Sequence, residues 1–276
     1  MQETIRTFGV KEFSRPASEL DRHVEEIRLA GYTILTGVLS GDEVAAAREK
    51  MDAVYARQLA ESGGEPQLAA INDTYNARCL LAYDDFFLGV AANARVLAVV
   101  ERLLGDYYTL MLQNGIINVP VVGGEQNAGY WHRDLNYQHF VSTRPVSVSA
   151  LFCVDAFSEE TGGTLVLPGS HRAEVFPSED YVRRHETVID APAGAAVVFD
   201  SMLYHRGGHN RSRAARRAVN HMYTLPFVKQ QISLPKALGG RHGEDAFLRK
   251  FLGYESEPDE SVFEFRRRRI ARLGGM

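Results

Sequence analysis

His132 and Asp134 stand two residues apart in Tyr130-Trp131-His132-Arg133-Asp134. In a strand, or in the turn leaving one, side chains two residues apart point to the same face, so this imidazole and carboxylate can reach one cavity. A second histidine would complete two imidazoles and one carboxylate on one side of a metal and leave the opposite positions open to small molecules. That set suits non-haem Fe(II) used to activate oxygen. His205 is the candidate, because it follows the apolar run Ala195-Ala196-Val197-Val198-Phe199, which reads as a buried strand. Eleven residues later comes Arg216, inside Arg213-Ala214-Ala215-Arg216-Arg217-Ala218-Val219. A guanidinium offers the planar fork of donors that a carboxylate ligand needs. Arg213 and Arg217 offer the same chemistry, and strand alternation allows at most one of Arg216 and Arg217 to point inward.

Two other readings use the same residues. A zinc hydrolase would hold its metal with the same three groups and one water, but the chain has no HExxH helix to support it. A binding protein on the same scaffold would keep the pocket without the chemistry. The remaining histidines are set apart from the metal: His171 has a structural role in the turn Pro168-Gly169-Ser170-His171, and His139, His209 and His221 read as satisfied polar groups.

The elements that must position these residues follow from periodicity. Residues 17–30 form an amphipathic helix capped by Ser18, and 31–35 a short strand. Ser40 with Glu43 makes a capping box ahead of a helix over 44–59. Residues 62–66 read as a loop, and 71–78 have no clear period. A helix over 93–104 stops at Gly105. From Tyr107 the character changes: 108–119, 145–154, 164–167, 186–190, 195–199 and 217–225 are rich in strand formers and are separated by Gly and Pro turns. This pattern predicts a mainly β protein with flanking helices, in which short antiparallel strands form a double-sheet jelly roll. One domain is expected: a helical cover over 17–105, the barrel over 107–227 and a C-terminal helical extension over 228–276. Residues 245–253 and 261–273 of that extension read as helices on the outside of the barrel or at a partner surface.

Composition narrows the class. With 45% hydrophobic and 24% charged residues the chain is globular, and a net charge of −4 gives no reason to expect nucleic acid or an anionic membrane as partner. The run Arg266-Arg267-Arg268-Arg269 follows an acidic stretch and reads as a solvated helix with local ion pairs. Two cysteines, Cys79 and Cys153, make no disulfide framework, and no run is long enough to span a membrane. The expectation is a cytoplasmic protein, monomer or homodimer, acting on a small molecule.

His132-x-Asp134, then His205, then Arg216 resembles the phytanoyl-CoA dioxygenase-like family of Fe(II)/2-oxoglutarate oxygenases. The resemblance extends to Glu159-Glu160-Thr161-Gly162-Gly163-Thr164-Leu165-Val166-Leu167-Pro168-Gly169-Ser170-His171 and to His205-Arg206-Gly207-Gly208-His209-Asn210-Arg211-Ser212. It covers about residues 20 to 225. It implies a double-stranded β-helix (cupin-like) barrel with N-terminal helices over one face, Fe(II) held by His132, Asp134 and His205, and 2-oxoglutarate and O2 as co-substrates that yield succinate and carbon dioxide. The family's spacing picks Arg216 as the anchor of the co-substrate. It also places Thr164 and Gln113 where relatives hydrogen-bond the 2-oxo acid, although Gln113 reads equally well as an interior strand residue bonded to backbone. Related halogenating enzymes have a small residue in place of the carboxylate, so Asp134 implies oxidation of a C–H bond. Tyr130, Tyr137 and Phe140 are candidates for a wall around an organic substrate, and Asn72 for a substrate-covering segment. A natural-product, modified amino acid or sugar substrate is expected over an acyl-CoA, since no basic cluster suits the CoA phosphates.

Overall fold

The computed structural model describes residues 15–121, 129–135 and 140–274. In chain order its elements are α1 (Glu19–Ala30), β1 (Tyr32–Leu35), α2 (Gly41–Glu61), α3 (Glu65–Ala70), β2 (Asn76–Arg78), α4 (Leu80–Tyr83), α5 (Phe86–Ala91), α6 (Ala94–Leu104), β3 (Thr109–Asn118) and β4 (Ser147–Cys153). These are followed by β5 (Leu165–Val166), α7 (Glu179–His185), β6 (Thr187–Val188), β7 (Ala196–Asp200), β8 (His205–Arg206), β9 (Arg216–Thr224), α8 (Leu234–Ala237), α9 (Ala246–Phe251) and α10 (Val262–Gly274). The helix starts are set by the local chemistry foreseen for them. Ser18 accepts from the Asp21 amide, and Ser40 with Glu43 closes a capping box. A cap of this kind contributes about 1 kcal/mol. The stretch read as a loop over 62–66 differs: Pro66, in the first turn, starts the short helix α3.

Two antiparallel sheets carry the fold, one in the order β1-β7-β4-β9-β3-β2 and a smaller one in the order β6-β5-β8. Cross-strand pairing fixes which residues share a face. Ser149 faces Phe199 and Met222, Leu151 faces Val197 and Asn220, and Cys153 faces Ala218. Of these inward residues Leu151, Cys153, Val197, Phe199 and Ala218, joined by Val166 of the small sheet and by Phe157, Ile189 and Leu203, form a buried apolar cluster. The alternate residues Val148, Ala150, Phe152, Val219 and Tyr223 belong to a second, larger core with Val24 and Ile27 of α1, Met51 of α2, Val96 and Val100 of α6, and Phe251 of α9. Helices therefore cover the outer face of the large sheet, while its inner face looks toward the small one. Leu234, Leu238, Phe251 and Leu252 tie the start of the C-terminal extension into the outer core. Gly115 shows how close α2 comes, since a Cβ there would stand 2.7 Å from Met51. Both cysteines are buried and unpaired, and burial pushes the Cys153 thiol up to about 12. No helix among the described residues is long and apolar enough to cross a membrane.

Candidate metal centre

His132 and His205 are brought together by a β-bridge, with each backbone N–H donating to the other's carbonyl at 2.9 and 3.0 Å. The Asp134 N–H then donates to the Ser201 carbonyl, so the segment His132–Asp134 is stitched along the turn that leads from β7 to β8. Each imidazole is oriented by the carbonyl two residues before it. Nδ1 of His132 donates to the Tyr130 carbonyl at 2.8 Å, and Nδ1 of His205 to the Leu203 carbonyl at 3.0 Å. That fixes the tautomer and turns both Nε2 lone pairs inward. Nε2 of His132 lies 3.8 Å, and Nε2 of His205 3.4 Å, from Oδ1 of Asp134. One ligand atom from each of the three residues falls within 4.8 Å of the others, the only such group of three or more found among the described residues.

Ser149 Oγ donates to Oδ2 of Asp134 and therefore accepts from Ser201 Oγ at 2.8 Å, which accepts in turn from Ser147 Oγ at 2.7 Å. The hydroxyl chain occupies one carboxylate oxygen and leaves Oδ1 facing the imidazoles. Burial pushes the Asp134 carboxyl up, but His205, His132 and Ser149 together hold it below its ordinary value, and the group stays a carboxylate. Burial, then the neighbouring His205, pulls His132 down and keeps it a neutral donor. Burial pulls His205 down, but the Asp134 carboxylate beside it outweighs this and raises it, so a metal entering here displaces a proton from His205. With that proton gone the donor set fits a ferrous ion: two imidazole nitrogens, one anionic oxygen and an unfilled side. Ser149→Ala frees Oδ2 to rotate, and we expect it to weaken Mn(II) binding by about 10- to 100-fold, measured by titration calorimetry, with little change in melting temperature.

Arg216 is 3% exposed and lies on the inner face of β9, the strand whose Met222 faces Ser149. Its guanidinium stacks over Phe157 with 4.3 Å to the ring centroid, and Nη2 donates to the Gly162 carbonyl at 2.9 Å. Its Nε is buried with no partner, and burial pulls the group down to about 10. A buried guanidinium with a free donor and no ion pair among the described residues is matched by a carboxylate ligand. Arg217 points the other way, to Asp52 at 2.7 and 2.9 Å and to Asp155 at 3.3 Å.

Other residues singled out from the sequence fall unevenly. Thr164 is buried and precedes β5, whose Val166 pairs with His205; alternation gives Thr164 and Val166 the same face. Gln113 is turned away from the centre. It pairs in register with His221, beside Ala150, on the outer face, and its side chain bonds the Leu81 N–H, the Phe87 carbonyl and His221 Nε2, each at 2.8 Å. Its outward register and these three bonds exclude it from the 2-oxo acid. Tyr130 is 85% exposed, and among the described residues its one hydrogen bond is through its carbonyl, to His132. Phe140 is partly exposed, with its carbonyl accepting from Arg133. Asn72 is exposed in the turn ahead of β2, at the edge of the large sheet. Tyr137 and His139 lie outside the described residues. His171 is held by the Arg28 carbonyl, away from the triad. Sequence reasoning passed over Ser147, Ser149 and Ser201. Alternating serines inside the apolar run Ser147–Val154 were the available signal.

Comparison with known proteins identifies the family. The sequence model of the phytanoyl-CoA dioxygenase (PhyH) family matches residues 27–218. An uncharacterised protein of Mycobacterium tuberculosis is 36% identical over 229 residues, covering 80% of this chain and 81% of its own length. Ectoine dioxygenase of Stutzerimonas stutzeri is 24% identical over 249 residues, covering 75% and 80%. Among solved structures, EctD from S. alaskensis with 2-oxoglutarate and 5-hydroxyectoine superposes with a TM-score of 0.62 at 24% identity, covering 78% of this chain and 79% of that one. The epimerase SnoN in complex with Fe3+, alpha ketoglutarate and nogalamycin RO gives a TM-score of 0.54 at 20% identity, covering 75% and 84%. The chain belongs to the phytanoyl-CoA dioxygenase family.

Proposed function

We propose that the protein is an Fe(II)/2-oxoglutarate-dependent dioxygenase that oxidises a C–H bond of a small molecule, by hydroxylation, on a single-domain double-stranded β-helix. The observation that carries this reading is that the interior between the two sheets receives both the convergent His132 Nε2, Asp134 Oδ1 and His205 Nε2 atoms, from the side of the small sheet, and the buried, unpaired donor of Arg216, from the large one. Bound by the three side chains, ferrous iron supplies the oxidation of 2-oxoglutarate and of the substrate by O2.

The chain's own groups do the rest. Ser149 keeps Asp134 in one orientation, and the Tyr130 and Leu203 carbonyls keep both histidines pointing inward. Arg216 binds the distal carboxylate of 2-oxoglutarate through a charged fork, and Phe157 beneath it prevents the guanidinium from swinging. Phe199, edge-on to His205 at 4.9 Å, and the apolar residues behind it keep water off the buried side. Thr164 is placed to hydrogen-bond the co-substrate. A natural-product, modified amino acid or sugar intermediate is the substrate class we favour, supported by the 5-hydroxyectoine and nogalamycin RO found with the fold neighbours. A cytoplasmic monomer or homodimer suits this role, since iron must stay ferrous between turnovers.

The test is release of succinate from 2-oxoglutarate by purified protein. Succinate that appears only with added Fe(II) and O2, and faster with a candidate substrate, supports the proposal. A protein that hydrolyses or isomerises a substrate with no consumption of 2-oxoglutarate contradicts it.

A further inference from the structure

Away from the triad, a cavity of about 320 Å3 opens between α1, α6, the segment leading into β4 and the Pro-Gly-Ser-His turn. Its lining carries Arg28, Arg102, Arg144 and Arg172, with His171 and Asp200 set deeper. The chain as a whole has a net charge of −4, yet here four guanidinium groups meet one carboxylate.

Two of the arginines are fixed by the protein. Arg102 pairs with Asp21 at 2.7 Å, and Arg172 donates to the Arg28 carbonyl at 2.9 Å. The side chains of Arg28 and Arg144 have no ion pair among the described residues. Solvated arginines on a surface are ordinary; the deeper residues are not. Asp200 is 6% exposed, and its Oδ1 accepts from the Met202 N–H at 2.9 Å, but it has no ion pair among the described residues despite its basic surroundings. His171 is 4% exposed, and its Nδ1 is buried without a partner. His171 Nδ1 faces Gly31 inside the protein, so the group that calls for a partner is Asp200, a nearly buried carboxylate in the cavity lining whose side chain makes one hydrogen bond among the described residues, and the volume lies at the small end of the range of ligand pockets.

We propose that this cavity is a second ligand site, for a small metabolite whose phosphate or carboxylate is held by Arg28, Arg144 and Arg172 while a hydroxyl or ammonium group of the same molecule donates to Asp200. A bare inorganic anion fills the basic rim but gives Asp200 no donor beyond the Met202 N–H. Burial pushes the Asp200 carboxyl up to about 6, so a donor from the ligand stabilises its charged form. The site is separate from the oxidation chemistry in its residues. It adjoins that chemistry through the chain, because Asp200 ends β7 and the turn after it leads to His205.

The experiment is titration calorimetry on the full-length protein, stripped of metal, at constant ionic strength, with glycerol 3-phosphate, glycerate and inorganic phosphate as probes. We expect saturable binding of glycerol 3-phosphate or glycerate, whichever oxyanion the site prefers, about tenfold or more tighter than inorganic phosphate. The Arg28→Ala/Arg144→Ala double variant should weaken it at least about tenfold. Arg216→Ala should leave it unchanged. Both rim arginines are exposed and unpaired, so the double variant should keep the wild-type melting temperature. The proposal is overturned if neither organic probe saturates below about 10 mM, if binding survives the double variant, or if it disappears in Arg216→Ala.

Discussion

His132→Ala abolishes Fe(II)-dependent succinate formation, with turnover falling by about three orders of magnitude or more. The scale follows from what the metal contributes: several kcal/mol of charge stabilisation, at about 1.4 kcal/mol per factor of ten. Two protein donors remain in the variant, one of them a carboxylate whose rotation is still limited by Ser149. The fold should hardly notice. The His132 side chain is 44% exposed, and its one bond to the protein is to the Tyr130 carbonyl, so the melting temperature should stay within about 2 °C of wild type. His205→Ala makes a useful contrast, because that ring is buried against Phe199. It should remove turnover and also lower the melting temperature. Metal binding and thermal unfolding measured on both variants separate the two effects, and retained turnover in His132→Ala would remove the metal assignment.

Arg216→Ala weakens 2-oxoglutarate binding by about 1.5 to 3 kcal/mol, the scale of a hydrogen bond to a charged group, which is roughly a 10- to 150-fold rise in Kd. Arg217→Ala leaves that Kd unchanged and lowers stability by up to about 1 kcal/mol, because its partners Asp52 and Asp155 are partly exposed. The neighbours differ only in strand parity. Fluorescence or calorimetric titration of 2-oxoglutarate into the Mn(II) form measures both. The reverse pattern would mean that the inner face of β9 has been assigned to the wrong residues.

Much of this was legible in the chain because the signals were local. Ser18, Ser40 with Glu43, and Gly105 mark helix ends by chemistry that acts within one turn, and the apolar runs at 147–153 and 196–200 could hardly be anything but buried strands. The His-x-Asp pair shares a face by spacing alone. Parity, by contrast, could not be read without pairing. The bulge in β3 between Leu110 and Leu112 shifts its register against β9. Gln113 accordingly turns to the helices, while Asn114, next in sequence, faces Asn220. Tyr130 was misleading for a different reason. A large ring beside a ligand suggests a wall, and spacing alone would put Tyr130 on the face of His132, but the ring is 85% exposed and it is the carbonyl that serves His132. The buried charge at Asp200 and the basic rim around it are assembled from α1, α6, the segment before β4 and the Pro-Gly-Ser-His turn, so no stretch of sequence contains them.

The most direct measurement is a crystal structure of the protein grown anaerobically with Mn(II) and 2-oxoglutarate. The expected result is one metal bonded to Nε2 of His132, an oxygen of Asp134 and Nε2 of His205, with the distal carboxylate of 2-oxoglutarate in two-point contact with the Arg216 guanidinium. A metal held by any other residues, or a co-substrate carboxylate resting elsewhere than on Arg216, would contradict it.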